Sequence, residues 1–413
     1  MLQGPTRPPR RTGGRLSAWG GAVLAAAFVV GMAATALAQG RDAKKGEGFE
    51  TEAPTAILIE ATSGSVLFEK NADELRAPSS MMKLMTVETV FDAIKKGEVK
   101  LTDEYHVSEN AWRKGGAPSG GSTMFAAIHS RIAVADLLRG AIIQSGNDSC
   151  MILAEGIAGN EAAFVEKMTA RARAIGLKDS TFGNTTGLPD PNNKMSVREL
   201  ARLARHIILT YPEFYKLFGE REFTWNKIRQ HNRNPLLASL DGADGFKTGY
   251  TKEGGYGLVG SALQNGTRLI VVVNGLETAA ARANEAKKLL EWGFRNFETR
   301  TVFAPGHVIA NAKVFGGAEG SVALVSPEPV AVMVHRNGSD KLLARVVYQG
   351  PLRAPLEAGK QAGVVRVWRN GSVTVEMPLY TAAGVARGTT TQRALDGAAE
   401  LFVGLFRAGL ERL

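Results

Sequence analysis

Cysteine is nearly absent from this 413-residue chain: Cys150 is the only one, so no disulfide can form within the chain. It lies in the apolar stretch 150–153, which favours a small buried side chain over a catalytic thiol. Histidine is also scarce, and the six histidines lack the spacing of metal ligands. We therefore predict neither a metal site nor any other cofactor.

Blocks of lysine and arginine interleaved with aromatic residues are also missing, which argues against a nucleic-acid partner. The charge of +10 is spread along the chain, apart from four arginines within residues 7–15. An apolar run, 19–34, and a small-x-small site, 36–38, follow those arginines. The run contains glycines and is short for a membrane span, so residues 1–38 are predicted to be a signal peptide for export to the periplasm. The Sec and Tat export routes both stay open.

Residues 39–53 are charged and contain glycine, which indicates a linker. Domain 54–298 begins with predicted strands 55–60 and 65–69 and a helix that starts at Ser79 as its N-cap and ends at Gly97. The stretch from about 130 to 215 is predicted to be mostly helical, interrupted by a loop at 181–189. Strands resume near Gly245, and Asn265-Gly266 joins two of them. This order predicts an α+β fold in which helices cover an antiparallel sheet shared by the first and last segments.

Two further segments follow this domain. Residues 299–388 contain alternating valines and the turn pairs Asn337-Gly338 and Asn370-Gly371, which predict a small all-β domain without catalytic residues. Residues 389–413 are predicted to form an amphipathic helix with one apolar face and one charged face. Such a helix packs on its own domain or lies in a membrane surface, and its terminal position favours the membrane surface.

Three short motifs occur in a fixed order: Ser80-Met-Met-Lys83, Ser145-Gly-Asn147 and Lys247-Thr-Gly249. Each motif alone is weak evidence, but together the three motifs supply the chemical groups needed to acylate a serine without a histidine base. Ser80 lies in the first turn of its predicted helix, with Lys83 on the same face. We hypothesise that Lys83 is the base for Ser80, and that Lys247 is the cation that keeps Lys83 partly neutral and binds anionic substrate.

A second Ser-x-Asn, Ser108-Glu-Asn110, lies in a polar stretch, whereas Ser145 and Asn147 lie on a turn between apolar segments. We therefore assign Ser145 to relay a proton to the leaving amine and Asn147 to hold a peptide carbonyl or Lys83.

The strand that carries the third motif is predicted to contact the substrate directly. Gly249 lets a peptide backbone approach closely, and the N–H groups of Tyr250 and Ser80 would form an oxyanion hole. Thr248 and Arg282 are predicted to bind a terminal carboxylate, since arginine suits bidentate capture.

The chain resembles the low-molecular-weight penicillin-binding D-alanyl-D-alanine carboxypeptidases over roughly residues 50–410. The resemblance is carried by residues 76–86, by Ser145-Gly-Asn147, by residues 244–250 and by residues 285–294. It implies a β-lactamase-like fold and removal of the terminal D-alanine from peptidoglycan stem pentapeptides through an acyl-enzyme on Ser80. It also implies inhibition by β-lactam antibiotics. Arg233 resembles a further arginine near the family's site, and Tyr250 stands where some relatives carry histidine.

Two other functions stay open at this point. A serine β-lactamase shares the three motifs, but it needs a carboxylate that positions the deacylating water. Glu166 belongs to a predicted helix rather than to a loop, which disfavours it for that role. A non-catalytic cell-wall-binding protein would not require complete motifs.

Overall fold

The computed structural model describes residues 49–398. The predicted signal peptide, most of the predicted linker and residues 399–413 of the predicted C-terminal helix lie outside this range. Within the range, no helix combines the length and the apolar character that crossing a membrane requires.

The first part of the chain begins with two strands and ends with three strands and a helix, as the sequence predicts, but short strands also occur among the helices between them. Its strands are β1 (Thr55–Glu60), β2 (Val66–Lys70), β3 (Glu104–His106), β4 (Arg131–Ala133), β5 (Glu222–Trp225), β6 (Ile228–His231), β7 (Ala243–Thr251), β8 (Gly255–Gln264) and β9 (Thr267–Leu276). Its α-helices are α1 (Lys83–Lys95), α2 (Glu109–Gly115), α3 (Val134–Arg139), α4 (Asn147–Ala158), α5 (Glu161–Ala174), α6 (Val197–Thr210), α7 (Pro212–Tyr215), α8 (Leu236–Ser239) and α9 (Ala279–Asn296).

The central sheet has the order β2-β1-β9-β8-β7, and every neighbouring pair is antiparallel. Alternate residues of β1 face opposite sides: Ile57 and Ile59 belong to the hydrophobic core that α1, α4, α5 and α6 also share, whereas Leu58 belongs to the core that contains α9. The sheet therefore has helices on both faces, and its first and last segments pair with each other. The predicted fold class is confirmed.

Two of the three predicted Asn-Gly pairs join strands that pair with each other. At the third, Asn337-Gly338, the chain turns, but the strands on either side, Val330–His335 and Leu342–Val347, pair with other strands. Asn265 and Gly266 have φ values of 49° and 77° between β8 and β9. Asn370 and Gly371 have φ values of 52° and 84° between β16 (Gln361–Arg369) and β17 (Ser372–Thr381). Two consecutive positive φ values are typical of the type I′ turn, which matches the twist of the flanking strands.

The hairpin of β5 and β6 was not predicted: strands resume at β5 rather than near Gly245. The β5–β6 turn places Asn226 and Lys227 at φ values of 52° and 65°. Lysine is uncommon in this left-handed conformation, so the turn has no clear sequence signature.

The second part of the described chain is rich in β-structure. Its further strands are β10 (Phe297–Phe303), β11 (Val308–Phe315), β12 (Ser321–Val325), β13 (Val330–His335), β14 (Leu342–Val347) and β15 (Leu352–Arg353). β10 pairs with β13, and a second sheet has the order β14-β16-β17-β12-β11-β15. The buried Arg369 links this part to the central sheet, because its guanidinium donates to the carbonyls of Met333 at 2.7 Å and Val66 at 2.6 Å.

Residues 390–398 are helical, as predicted for the start of the C-terminal helix. Asp396 accepts a hydrogen bond of 2.8 Å from the Gly316 N–H, whereas Leu395 is 66% exposed. The polar side of this first helical turn therefore contacts the β-rich part through Asp396, while Leu395 faces solvent.

Candidate active site

Ser80 lies on a short 3₁₀ turn, Ser79–Met82, immediately before α1. The buried Met81 and Met82 anchor this turn in the core. Ser79 has a φ of 52° and does not cap the helix; its hydroxyl lies 2.8 Å from Thr251 Oγ1 on β7. The predicted N-cap at Ser79 is therefore wrong, because the side chain connects the turn to β7 instead.

Lys83 is fully buried behind this turn. Its Nζ donates to Ser80 Oγ at 3.0 Å, to Asn147 Oδ1 at 2.8 Å and to the Thr186 carbonyl at 2.5 Å. All three acceptors are uncharged, so none compensates the ammonium charge. Burial lowers the pKa of Lys83 from 10.5 to about 8, and the Arg233 guanidinium acts in the same direction.

Lys247, on β7, is also buried, and its Nζ lies 3.2 Å from the carbonyl of Thr248. Burial, followed by the charges of Lys83 and Arg233, holds the pKa of Lys247 well below 10.5. Burial is the main cause for Lys83, and the Arg233 guanidinium adds to it. The charge of Lys83 in turn helps to lower the pKa of Lys247, so the hypothesis that Lys247 acts on Lys83 stays a prediction.

Ser145 and Asn147 lie where a π-helical turn, Gly140–Gln144, passes into α4. Ser145 has a φ of 63°, and its buried hydroxyl has no hydrogen-bond partner within residues 49–398. Asn147 is buried and accepts from Lys83 Nζ. A hydroxyl without a partner is costly to bury, and such groups concentrate where a ligand completes the bonding.

The competing pair has structural partners. Ser108 caps α2 by accepting from the Ala111 N–H at 3.0 Å. Asn110 donates to Glu155 at 2.8 Å. No hydrogen bond within the described chain links either side chain to Ser80 or Lys83, so only the Ser145 motif meets the first motif.

A loop at 122–126 covers the same region and depends on the buried Asp148. Its carboxylate accepts from Thr123 Oγ1 and from the N–H groups of Met124 and Ala126. Arg233 donates to Ser122 Oγ at 2.6 Å. These contacts bring Arg233 to the side of the site that carries Asn147, whose N–H donates to the Ser122 carbonyl at 2.7 Å.

β7 passes directly behind the nucleophile turn, and it forms one edge of the central sheet. A Cβ atom on Gly249 would lie 2.9 Å from the Pro78 carbonyl oxygen, so glycine permits this close approach. Thr248 is buried and Tyr250 is half-exposed. Arg282, in the first turn of α9, lies over the Tyr256 ring.

The loop at 181–189, which the sequence marked only as a break between helices, also belongs to the site. Its Thr186 carbonyl accepts from Lys83, and Asn184 Oδ1 holds the loop by accepting from the N–H groups of Thr186 and Gly187. A Cβ on Gly187 would lie 2.0 Å from the Ser79 carbonyl oxygen, and this glycine has a φ of 76°. The sequence cannot show that the Thr186 carbonyl is an acceptor for Lys83, because a backbone group is the same in every residue. Gly187, a glycine in a polar loop, is the one sequence signal that could have pointed to a close contact here.

Replacing Gly187 with alanine should therefore displace Ser80. Gly97→Ala is a matched control, because Gly97 has the same φ of 76° but has open space around its Cβ position. Both variants should lose about 1–2 kcal/mol of stability from the left-handed backbone, and Gly187→Ala more because of the clash. Only Gly187→Ala should acylate at least about a hundredfold more slowly with penicillin, since misplacement by about an ångström has that effect. Equal acylation rates in the folded variants would show that this loop does not position the nucleophile.

Other groups raised by the sequence have different surroundings. Glu166 is exposed on α5, and Lys83 makes no hydrogen bond to a carboxylate within the described chain. Cys150 is buried, and burial raises the pKa of its thiol to about 11. Residues 49–398 contain no group of three or more His, Cys, Asp or Glu side chains placed to hold a metal ion.

Comparisons with known proteins agree with this geometry. Residues 41–278 match the peptidase S11 family, described as D-alanyl-D-alanine carboxypeptidase, and residues 297–387 match the C-terminal domain of penicillin-binding protein 5. The chain is 40% identical to D-alanyl-D-alanine carboxypeptidase DacC of Escherichia coli (strain K12), over 85% of this chain and 88% of the relative.

The chain is also similar in fold to solved structures of penicillin-binding proteins. Penicillin-binding protein 5 from Haemophilus influenzae superposes with a TM-score of 0.73 at 37% identity, over 82% of this chain and 99% of the other. Penicillin-binding protein D2 from Listeria monocytogenes in the ampicillin-bound form superposes with a TM-score of 0.54 at 28% identity, over 60% of this chain and 98% of the other.

Proposed function

The chain belongs to the D-alanyl-D-alanine carboxypeptidase family of peptidases, and on that premise we propose that Ser80 is its nucleophile. The enzyme would remove the terminal D-alanine from peptidoglycan stem pentapeptides through an acyl-enzyme on this serine. The observation that carries the proposal is the 3.0 Å contact between Ser80 Oγ and the buried Lys83 Nζ. An amine with a pKa of about 8 is neutral often enough near neutral pH to accept the hydroxyl proton.

Acylation would begin when Ser80 Oγ attacks the carbonyl carbon of the penultimate D-alanine and its proton passes to Lys83. The N–H groups of Ser80 and Tyr250 would stabilise the oxyanion. The C–N bond then breaks, and the Ser145 hydroxyl would relay the proton held by Lys83 to the leaving D-alanine amine. Water would next attack the ester carbonyl while Lys83 takes a proton from it, and that proton would pass to Ser80 Oγ as the ester C–O bond breaks and the shortened peptide leaves. Asn147 would keep Lys83 oriented through its 2.8 Å hydrogen bond.

Substrate binding would use β7 and the cations near it. The free edge of β7 offers backbone groups to an extended peptide, which is a common mode of peptide recognition. Lys247, Thr248 and Arg282 would bind the terminal carboxylate, with Arg233 at the other side of the cleft. Gly249 would keep this strand close to the nucleophile turn.

The decisive experiment is mass spectrometry after separate incubation with a pentapeptide and with penicillin. We expect loss of one D-alanine from the peptide and a long-lived penicilloyl adduct on Ser80. A Ser80→Ala variant should give neither product. Rapid release of hydrolysed penicillin would instead indicate a β-lactamase, and the absence of any adduct at Ser80 would indicate a non-catalytic wall-binding protein.

We also propose that the enzyme is exported to the periplasm and held at the outer face of the cytoplasmic membrane by its C-terminal helix. The exposed Leu395 supports membrane attachment. The polar side of the helix start contacts Gly316 through Asp396, so the apolar side is the one left facing outward. The charges of the C-terminal segment sum to zero, so apolar burial would drive attachment. The full chain should float with uncharged phosphatidylcholine vesicles, and a chain ending at residue 388 should not.

A further inference from the structure

Arg282 is notable for the partners it lacks. Its Nε is buried, and residues 49–398 provide it with no hydrogen-bond acceptor. No aspartate or glutamate of the described chain forms a salt bridge with its guanidinium. Burial lowers the pKa of Arg282, because it disfavours the charged form. The Nε–H group is one of the five donors of the guanidinium, and leaving this buried donor unpaired is costly. Its orientation must therefore come from another kind of contact.

That contact is an aromatic ring on the adjacent sheet. The Cζ atom of Arg282 lies 5.6 Å from the centroid of the Tyr256 ring, within the range of a cation–π interaction. Tyr256 lies directly opposite Tyr250 in the pairing of β7 with β8. The two rings stack with centroids 4.1 Å apart and planes at 28°. The ring of Tyr256 thus connects Arg282 with the residue that follows Gly249 on β7.

We propose that Tyr256 is a positioning residue that holds Arg282 ready for the terminal carboxylate of the substrate. This inference rests on the proposed function and assigns a specificity role to a side chain outside the three motifs. The ring rather than the hydroxyl is responsible, since the hydroxyl of Tyr256 makes no hydrogen bond within residues 49–398. Tyr250 supports the arrangement by stacking on Tyr256, in addition to any role of its backbone N–H.

A purely structural role for Tyr256 makes a different prediction. Tyr256 also packs at the margin of the cluster between the sheet and α9. If it only supports this core, its loss should affect all substrates equally. If it positions Arg282, its loss should affect only recognition of the carboxylate.

Two thioester substrates separate these roles. Both have the same N-acyl-D-alanyl group; one leaving group is thiolactate with a free carboxylate, and the other is its uncharged methyl ester. The readout is the ratio of their kcat/KM values, followed by thiol release. Tyr256→Leu should lower this ratio roughly fivefold to tenfold, as expected for one partly buried cation–π contact, mainly by raising KM for the charged substrate. Tyr256→Phe should keep the parent ratio.

A matched control lies in the β-rich part, where Arg345 Cζ is 5.7 Å from the Trp368 ring centroid. Trp368→Leu removes an equivalent cation–π contact and should leave the ratio unchanged. Arg282→Ala should lower the ratio more than Tyr256→Leu, and adding Tyr256→Leu to it should lower the ratio no further.

The outcomes distinguish this inference from the proposed function. If the parent acylates neither thioester on Ser80, the proposed function fails. If the parent prefers the charged substrate but Tyr256→Leu keeps the ratio, or loses activity equally on both, only the role of Tyr256 is overturned. The proposed role of the Tyr256 ring is also overturned if Tyr256→Phe lowers the ratio as much as Tyr256→Leu does.

Discussion

Replacing Lys83 with methionine is expected to slow acylation of Ser80 by penicillin about a thousandfold. Methionine keeps an unbranched side chain of similar length but removes the amine that lies 3.0 Å from Ser80 Oγ. General base catalysis of this kind typically contributes a factor of about 10² to 10⁴. The rate is measured as penicilloyl adduct formation on the peptide that contains Ser80.

The same variant should remain folded, which separates a lost base from a lost structure. Removing a buried charge that no salt bridge pairs is favourable, whereas leaving the acceptors on Asn147 and Thr186 unpaired costs about 1–3 kcal/mol each. Because these effects oppose each other, we expect a melting temperature close to that of the parent. Lys178→Met, which removes an exposed lysine, is the control and should retain the parent rate. An acylation rate near the parent value in Lys83→Met would exclude Lys83 as the base.

The parts of the fold and site that could be predicted are those encoded in short windows of sequence. An Asn-Gly pair favours a type I′ turn, and the pairs at 265–266 and 370–371 form hairpins, whereas Asn337 lacks the positive φ that this turn requires. Helical spacing brings Lys83 onto the same side as Ser80, as their contact shows. The choice between Ser145 and Ser108 followed from the apolar segments around Ser145. Local chemistry was sufficient in each of these cases.

What could not be predicted depends on segments that are distant in sequence. The Thr186 carbonyl is a backbone group, and nothing in its side chain marks it as a partner of Lys83. Ser79 has the composition of an N-cap, yet a hydroxyl on β7, 172 residues away, pairs with its side chain instead. The effect of Arg233 on the pKa of Lys83 was not predicted either, because only the folded chain brings the two groups near each other. Tertiary contacts override local preference at such positions.

The acylation rate should depend on pH through the protonation of Lys83. Only the neutral amine can accept the Ser80 proton, and burial lowers the pKa of Lys83 to about 8. Below that pH the neutral fraction falls tenfold with each unit, so kcat/KM should rise about tenfold per unit up to about pH 8 and then level off. An ordinary lysine, with a pKa near 10.4, would instead place the plateau more than two units higher.

Arg233→Gln tests the cause of this shift. Removing the guanidinium takes away a positive charge that disfavours protonated Lys83, so the midpoint of the profile should move to higher pH. The movement should be smaller than the whole shift, because burial is the larger cause and is retained in the variant. If Arg233 also contacts the substrate, the loss of that contact would lower kcat/KM on the plateau without moving the midpoint of the pH profile. A parent profile that is flat between pH 6 and pH 9 would mean that a group other than Lys83 takes the proton from Ser80.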